Sequence, residues 1–272
     1  CITNHLNLIH EKKMKQLFYS IFSIADLDIS LLIFSPSIFK RPDLMFFELV
    51  NSGITYYGKN NQKIPIKKVP LWEGIRLLTF KGNPFLSSFS KKGYSKEFHY
   101  YYSKLLLGIG EALLLLDQTY VADNFKRYDL VMGNRFSQKI PGFIVEYQKA
   151  HKFRYFNYTF KEKNNLIKEK GINFLKHSWN IYLNHYFSTN PLRIKNLLQK
   201  VRPLTIKEKI GTRIIYTFNY FKMFKKIRFC FFSEPFIKEI VMIQKYLNSK
   251  GDKLRKEIVM SWKASPRFWY PR

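Results

Sequence analysis

Apolar positions recur at helical spacing over residues 9–23, "IHEKKMKQLFYSIFS". Ile9, Met14, Leu17, Phe18, Ile21 and Phe22 share one face, and Lys12, Lys13, Lys15 and Gln16 take much of the other. That is the pattern of an amphipathic helix. The pattern changes over 27–34, where Leu27, Ile29, Leu31 and Ile33 alternate with Asp28, Ser30, Leu32 and Phe34. A β-rich run that is apolar on both faces and polar only at its start predicts a central strand. "SPSIFKRPD" reads as a loop. "DLMFFELVNSG" predicts a short helix closed by Gly53. "ITYYG" predicts a second short strand ending at Gly58, and "NNQKIPIKKVP" a Pro-punctuated linker.

From Leu71 onward the pattern is helical. "LWEGIRLLTF" opens a helix right after Pro70, and "EFHYYYSKLLLGIGEALLLLD" predicts a long one over roughly 97–117. "NFKRYDLVMG" is a short helix, and "IPGFIVEYQKAHKFR" gives another from about 141. "INFLKHSWNIYLNHYF" gives the next, with Phe174, Trp179, Leu183 and Phe187 near one face. Three more are expected at about 191–201, 206–229 and 235–249, before a tail ending "SPRFWYPR". The chain thus reads as α+β: a small partial mixed sheet with helices at the N-terminus, followed by a mostly α-helical bundle. The domains fall at 1–68 and 69–272, with room for a further division near 160–190. Two strands alone make a marginal sheet, so the remaining strands come from outside or are missing from this chain.

Composition sharpens this picture at three points. With 272 residues, 46% of them hydrophobic and 24% charged, the chain can bury a sizeable core. The formal net charge is +28, unevenly placed: residues 1–150 carry 20 Lys+Arg against 12 Asp+Glu, and residues 151–272 carry 27 against 7. A basic half attracts nucleic acid, nucleotides or an anionic surface, although lysine that merely solvates helices leaves the same signature. Cys1 and Cys230 form neither a metal cluster nor a disulfide framework, and a reducing cytoplasm suits them best. The apolar stretch "LLLGIGEALLLL" is too short to span a bilayer and carries Glu111.

The segments "LDISLLIF", "FFELVNSGITYYG", "VPLWEGIRLL", "YSKLLLGIGEALLLLDQTYV" and "EYQKAHKFR" follow one another in an order that resembles the polymerase-β-like nucleotidyltransferase superfamily. The resemblance is to proteins with an N-terminal nucleotidyltransferase domain and an all-helical C-terminal part. It covers roughly residues 9–156, and "WEGIRLL" and "KLLLGIGEALLLL" are its most specific stretches.

The resemblance implies an active site built from a Gly-Ser turn, an Asp-x-Asp strand and a third carboxylate on a later strand. The carboxylates would hold Mg²⁺ or Mn²⁺ for transfer of a nucleoside monophosphate from an NTP to an unidentified acceptor. Asp26 and Asp28 have the Asp-x-Asp spacing, but "MKQLFYSIFSIA" before them has no glycine and reads as a helix. By that alignment Asp28 is the third metal carboxylate and the catalytic residue, with Asp26 beside it. The turn and first pair would precede Cys1, in keeping with a chain that does not begin with Met. Two alternatives stay open: a degenerate first pair at Asp26 and Asp28, or polar residues at a strand start that bind no metal. Mg²⁺ needs several oxygen ligands, so the chain taken alone is expected to be inactive, with metal and NTP binding only when the missing segment is present.

Other candidates carry plain counterparts. Lys104 lies on the long helix from which, by the resemblance, a basic residue reaches nucleotide phosphates; it also fits a solvated stripe. Glu73 and Arg76 are three apart and predict an ion pair on one helix face. Glu111 needs a partner, with Lys104 and Arg76 the candidates, or else shifts its pKa upward, and it serves either as a packing anchor or at a cleft. His5, His10, His99, His151, His177 and His185 are scattered and predict no zinc site. "FNYFKMFKKIRFCFF" interleaves cations with aromatics, as a nucleic-acid surface does, but so many aromatics suit a core. The second function class is therefore a non-catalytic basic helical module that binds nucleic acid or another polyanion.

Overall fold

The computed structural model describes residues 42–53, 63–89, 96–187, 242–243, 245–249 and 252–264, with isolated positions at 13, 16, 17, 214 and 217. The chain divides into two units, Cys1–Pro70 and Leu71–Arg272.

In the first unit, α1 (Leu44–Ser52) buries Leu44, Phe46 and Phe47. Asp43 caps it: its carboxylate accepts the Phe46 N–H at 2.7 Å, satisfying a donor that the helix leaves orphaned. Gly53 ends the helix as expected, but in an extended conformation, its N–H bonding Leu49 O. The Asn51 amide then fastens the following linker. It donates to Phe47 O and Ile64 O, both at 3.0 Å, and accepts the Ile64 N–H at 3.1 Å. Ile64 is buried as a result, and a single 3₁₀ turn, Ile66–Lys68, follows.

The α+β expectation is corrected here. Among the described residues 80% are helical, with no strand and no sheet, and the architecture is a helical bundle. The two expected strands, 27–34 and 54–58, lie outside the described residues. The expectation rested on short apolar runs, which periodicity alone does not assign between strand and helix. Of the helix read over 9–23, Lys13, Gln16 and Leu17 are described, and all are helical.

The second unit is organised by α3 (Lys96–Leu116), which packs against α2 (Trp72–Ser88), α4 (Asn124–Gly133), α6 (Phe143–Tyr155) and α7 (Asn164–Tyr182). Phe98, Tyr102, Leu105, Leu106, Ile109 and the run Ala112–Leu115 are all buried. A helix that is apolar on nearly every side must be enclosed. A short α5 (Arg135–Gln138) follows α4, its first N–H groups accepted by the Asn134 side chain. Asp123 caps α4 in the same way, through the Phe125 and Lys126 N–H groups at 2.9 and 3.1 Å. α7 runs on into a π turn, Leu183–Phe187. α8 (Asp252–Ala264) lies against α2, where Arg255 donates to Leu86 O at 3.3 Å. Among the described residues no helix is long and apolar enough to cross a membrane.

α2 runs past the expected Phe80 and carries Pro84 within it. Proline costs a helix one hydrogen bond, but Gly82, Asn83, Phe85 and Leu86 are all buried, so packing outweighs the local penalty. Two glycines let helices approach. A Cβ at Gly171 of α7 would meet the Phe85 ring, and one at Gly74 of α2 would meet the Tyr182 phenol, which itself donates to Leu71 O at 2.6 Å. Gly171→Ala should therefore cost about 1–3 kcal/mol by overpacking. Gly133→Ala, with nothing within 4 Å of the added carbon, should be neutral or stabilising by up to about 1 kcal/mol. Urea unfolding of the two variants checks this.

Candidate functional site

Tyr100 and Lys104 are one helical turn apart near the start of α3, so they share a face. The Lys104 ammonium lies 4.5 Å from the centre of the Tyr100 ring. Arg154, in the last turn of α6, brings its guanidinium to 4.8 Å from the same ring. A hydrogen bond with Lys104, helped by the charges of Lys104 and Arg154, outweighs partial burial and lowers the Tyr100 pKa below its ordinary value. Each cation–π contact is worth about 0.5–1 kcal/mol at such a site.

Several other cations of the unit hold carboxylates. Arg76 holds Glu73 at 2.5 Å, Arg127 faces Glu111 at 3.6 Å, and Arg135 meets Asp117 at 2.8 Å. Lys149 and Lys170 share Glu146 and Glu162. Among the described residues no carboxylate pairs with Lys104 or Arg154. Two cations gathered on one ring without a carboxylate favour an incoming anion.

The neighbouring charge network is closed by comparison. Glu146 of α6 is buried, with its side chain only 5% exposed. Tyr102 donates to it at 3.1 Å, Lys149 at 3.0 Å and Lys170 at 2.8 Å. Lys149 also bonds Glu162, which Lys170 approaches at 3.8 Å. Two carboxylates and two ammoniums cancel, so this cluster ties α3, α6, α7 and the loop before α7 together. Burial and the Glu146 carboxylate push the Tyr102 phenol far up. The Glu162 hydrogen bond outweighs burial and raises Lys149. Burial alone would raise the Glu162 carboxyl, but the Lys149 hydrogen bond and the Lys170 charge bring it below its usual value.

Asp26 and Asp28 lie outside the described residues, as do His5, His10 and "FNYFKMFKKIRFCFF". Among the described residues no group of three His, Cys, Asp or Glu is placed to hold a metal ion. Glu73 and Arg76 pair within α2 as expected, through two hydrogen bonds of 2.9 and 2.5 Å. The partner of Glu111 is a correction: it is Arg127 of α4, at 3.6 Å, and neither Lys104 nor Arg76. His99 faces Asn164 at 2.9 Å, and His185 sits edge-on to Phe136 at 4.7 Å. Lys104, named from the sequence, shares the Tyr100 ring with Arg154, which sequence reasoning passed over. Arg154 ends the segment "EYQKAHKFR", but its closeness to Tyr100 is tertiary and leaves no spacing signal.

Glu146→Gln should destabilise the fold by about 1–3 kcal/mol, the scale of weakening charged hydrogen bonds at a buried carboxylate, while Lys126→Ala on the exposed face of α4 should change stability little. The Glu162 contribution has a definite pH sign. Its folded pKa is lowered from 4.5, so its stabilisation is present above that value and is lost as pH falls through the folded pKa. Glu162→Gln should flatten that acid limb in thermal melts. No family model matches the chain, and comparison with curated proteins and with solved structures finds no match either, so function must be read from the chain's own residues.

Proposed function

We propose that the helical unit binds the phosphates of a nucleoside triphosphate between Lys104 and Arg154, as part of a nucleotidyltransferase-like protein that passes a nucleoside monophosphate to an acceptor. The observation that carries this reading is the pair of cations on Tyr100 with no carboxylate partner among the described residues. Lysine offers a compact point charge and arginine a planar fork for phosphate oxygens. The resemblance of "KLLLGIGEALLLL" to the helix behind the site in nucleotidyltransferases supports the choice of ligand. The metal chemistry that the resemblance implies rests on Asp28 and Asp26. Those residues lie outside the described part.

The second reading, a basic module for nucleic acid, is favoured by the excess of 27 Lys+Arg over 7 Asp+Glu in residues 151–272. The two readings differ in ligand and in salt response. A module that neutralises a polyanion backbone loses affinity steeply with salt, in proportion to the phosphates contacted. A triphosphate held by a cation pair has a shallower dependence.

Calorimetric titration with ATP, without divalent metal, tests the proposal. Lys104→Ala and Arg154→Ala should each weaken binding about tenfold, the scale of one charged hydrogen bond, and Lys126→Ala should leave it unchanged. Equal affinity in all three variants would overturn it. Tighter binding of single-stranded RNA than of ATP, with a steep salt slope, would select the second reading. Triphosphate affinity should also fall as Tyr100 ionises, because a phenolate competes for both cations. That fall should begin below the ordinary tyrosine range, and Tyr100→Phe should abolish it.

A further inference from the structure

Arg154 reaches Tyr100 from a helix end that has little burial of its own. In the last turn of α6, Lys152, Arg154 and Tyr155 are exposed and Phe153 is half-buried. Helix ends fray unless contacts tie them down. The chain that follows supplies the tie. Phe156 N–H and Tyr158 N–H both bond Lys152 O, at 2.8 and 3.4 Å. Asn157 between them takes the left-handed conformation, with φ 53°, which asparagine tolerates and β-branched residues do not. The chain thereby leaves α6 and reaches α3 at Phe160.

Phe160 is buried, and its neighbours Thr159 and Lys161 are exposed. Its ring meets Tyr102 edge-on at 5.3 Å, Phe153 at 5.3 Å and His99 at 5.5 Å. Tyr102 and His99 belong to α3 and flank Tyr100 in the sequence, and Phe153 precedes Arg154 in α6. One ring thus joins the two helices whose side chains make the anion site. Aromatic pairs are directional, so they fix orientation as well as distance. Two contacts beyond Phe160 again go one to each helix: Glu162 accepts from Lys149 of α6, and Asn164 Oδ1 lies 2.9 Å from His99 Nε2 of α3.

We infer that residues 156–163 form a hook, anchored by Phe160, that sets Arg154 against Tyr100 and so assembles the anion site. Phe160 is a positioning residue that acts through the end of α6. With the hook undocked, the last turn of α6 loses its cover and Arg154 leaves the ring. Lys104 lies within α3 and stays. A ligand that needs both cations favours the docked hook, and by linkage the docked hook favours the ligand. That linkage rests on the phosphate reading above; the placement of Arg154 does not.

Tyr100 reports the state of the hook without any ligand. The Lys104 hydrogen bond lowers its phenol most, burial opposes this, and the Arg154 hydrogen bond and charge lower it further. The test titrates Tyr100 by NMR in the full chain carrying Cζ-labelled tyrosine, with circular dichroism as the check of folding. Phe160→Ala should shift the Tyr100 pKa upward by as much as Arg154→Ala does. Adding Phe160→Ala to Arg154→Ala should shift it no further. Asn157→Val, at an exposed position, strains the left-handed turn and should give part of the same shift, whereas Asn157→Gly keeps the turn and should give none. If Phe160→Ala does not fold, the Asn157 pair decides alone. ATP affinity should fall with the shift, about tenfold for Phe160→Ala as for Arg154→Ala. A Tyr100 shift without loss of ATP affinity supports the hook and counts against the phosphate reading. A Tyr100 pKa unmoved in folded Phe160→Ala or Asn157→Val, or a Phe160→Ala shift that adds in full to that of Arg154→Ala, would overturn the hook.

Discussion

The enclosure of α3 is the constraint on which the helical unit depends. From Phe98 to Leu115 this helix buries large side chains on nearly every face, and such a helix is unstable until neighbours cover it. α2, α4, α6 and α7 supply that cover. Close approach follows from it. Gly171 lets α7 settle on Phe85, and Gly74 gives room to Tyr182. Even Pro84 is held within α2, because breaking the helix there would expose Phe85 and Leu86.

Enclosure also sorts the charges. Carboxylates drawn toward the core need partners, and each receives one: Glu73 from Arg76, Glu146 from Lys149 and Lys170, Glu111 from Arg127. In a chain of net charge +28 the acids run short. The cations left over gather where aromatic faces take part of their charge, as Lys104 and Arg154 do on Tyr100. An anion site of this kind arises from compensation elsewhere in the bundle.

Much of the bundle was legible in the sequence. The periodicity of "EFHYYYSKLLLGIGEALLLLD" placed α3 to within a residue or so. Three features were not legible. "KGNP" argues for a break, and α2 passes through it only because tertiary packing outweighs a lost hydrogen bond. The helix quoted from Ile172 begins at Asn164, with Ile167 buried among polar neighbours. α8 follows a glycine in a lysine-rich stretch and was read as tail. The α+β reading is corrected because the described residues are helical with no strand; the two short runs it rested on lie outside them.

Of the candidate site, Lys104 was visible and Arg154 was not, because a charge pair formed between α3 and α6 has no local spacing. The most direct measurement of the central claim is amide hydrogen exchange with and without inorganic tripolyphosphate. A site at Tyr100, Lys104 and Arg154 predicts slower exchange in the first turns of α3 and the last turn of α6, with the interior of α7 unchanged. Unaltered exchange at both places, or protection confined to other segments, would contradict it.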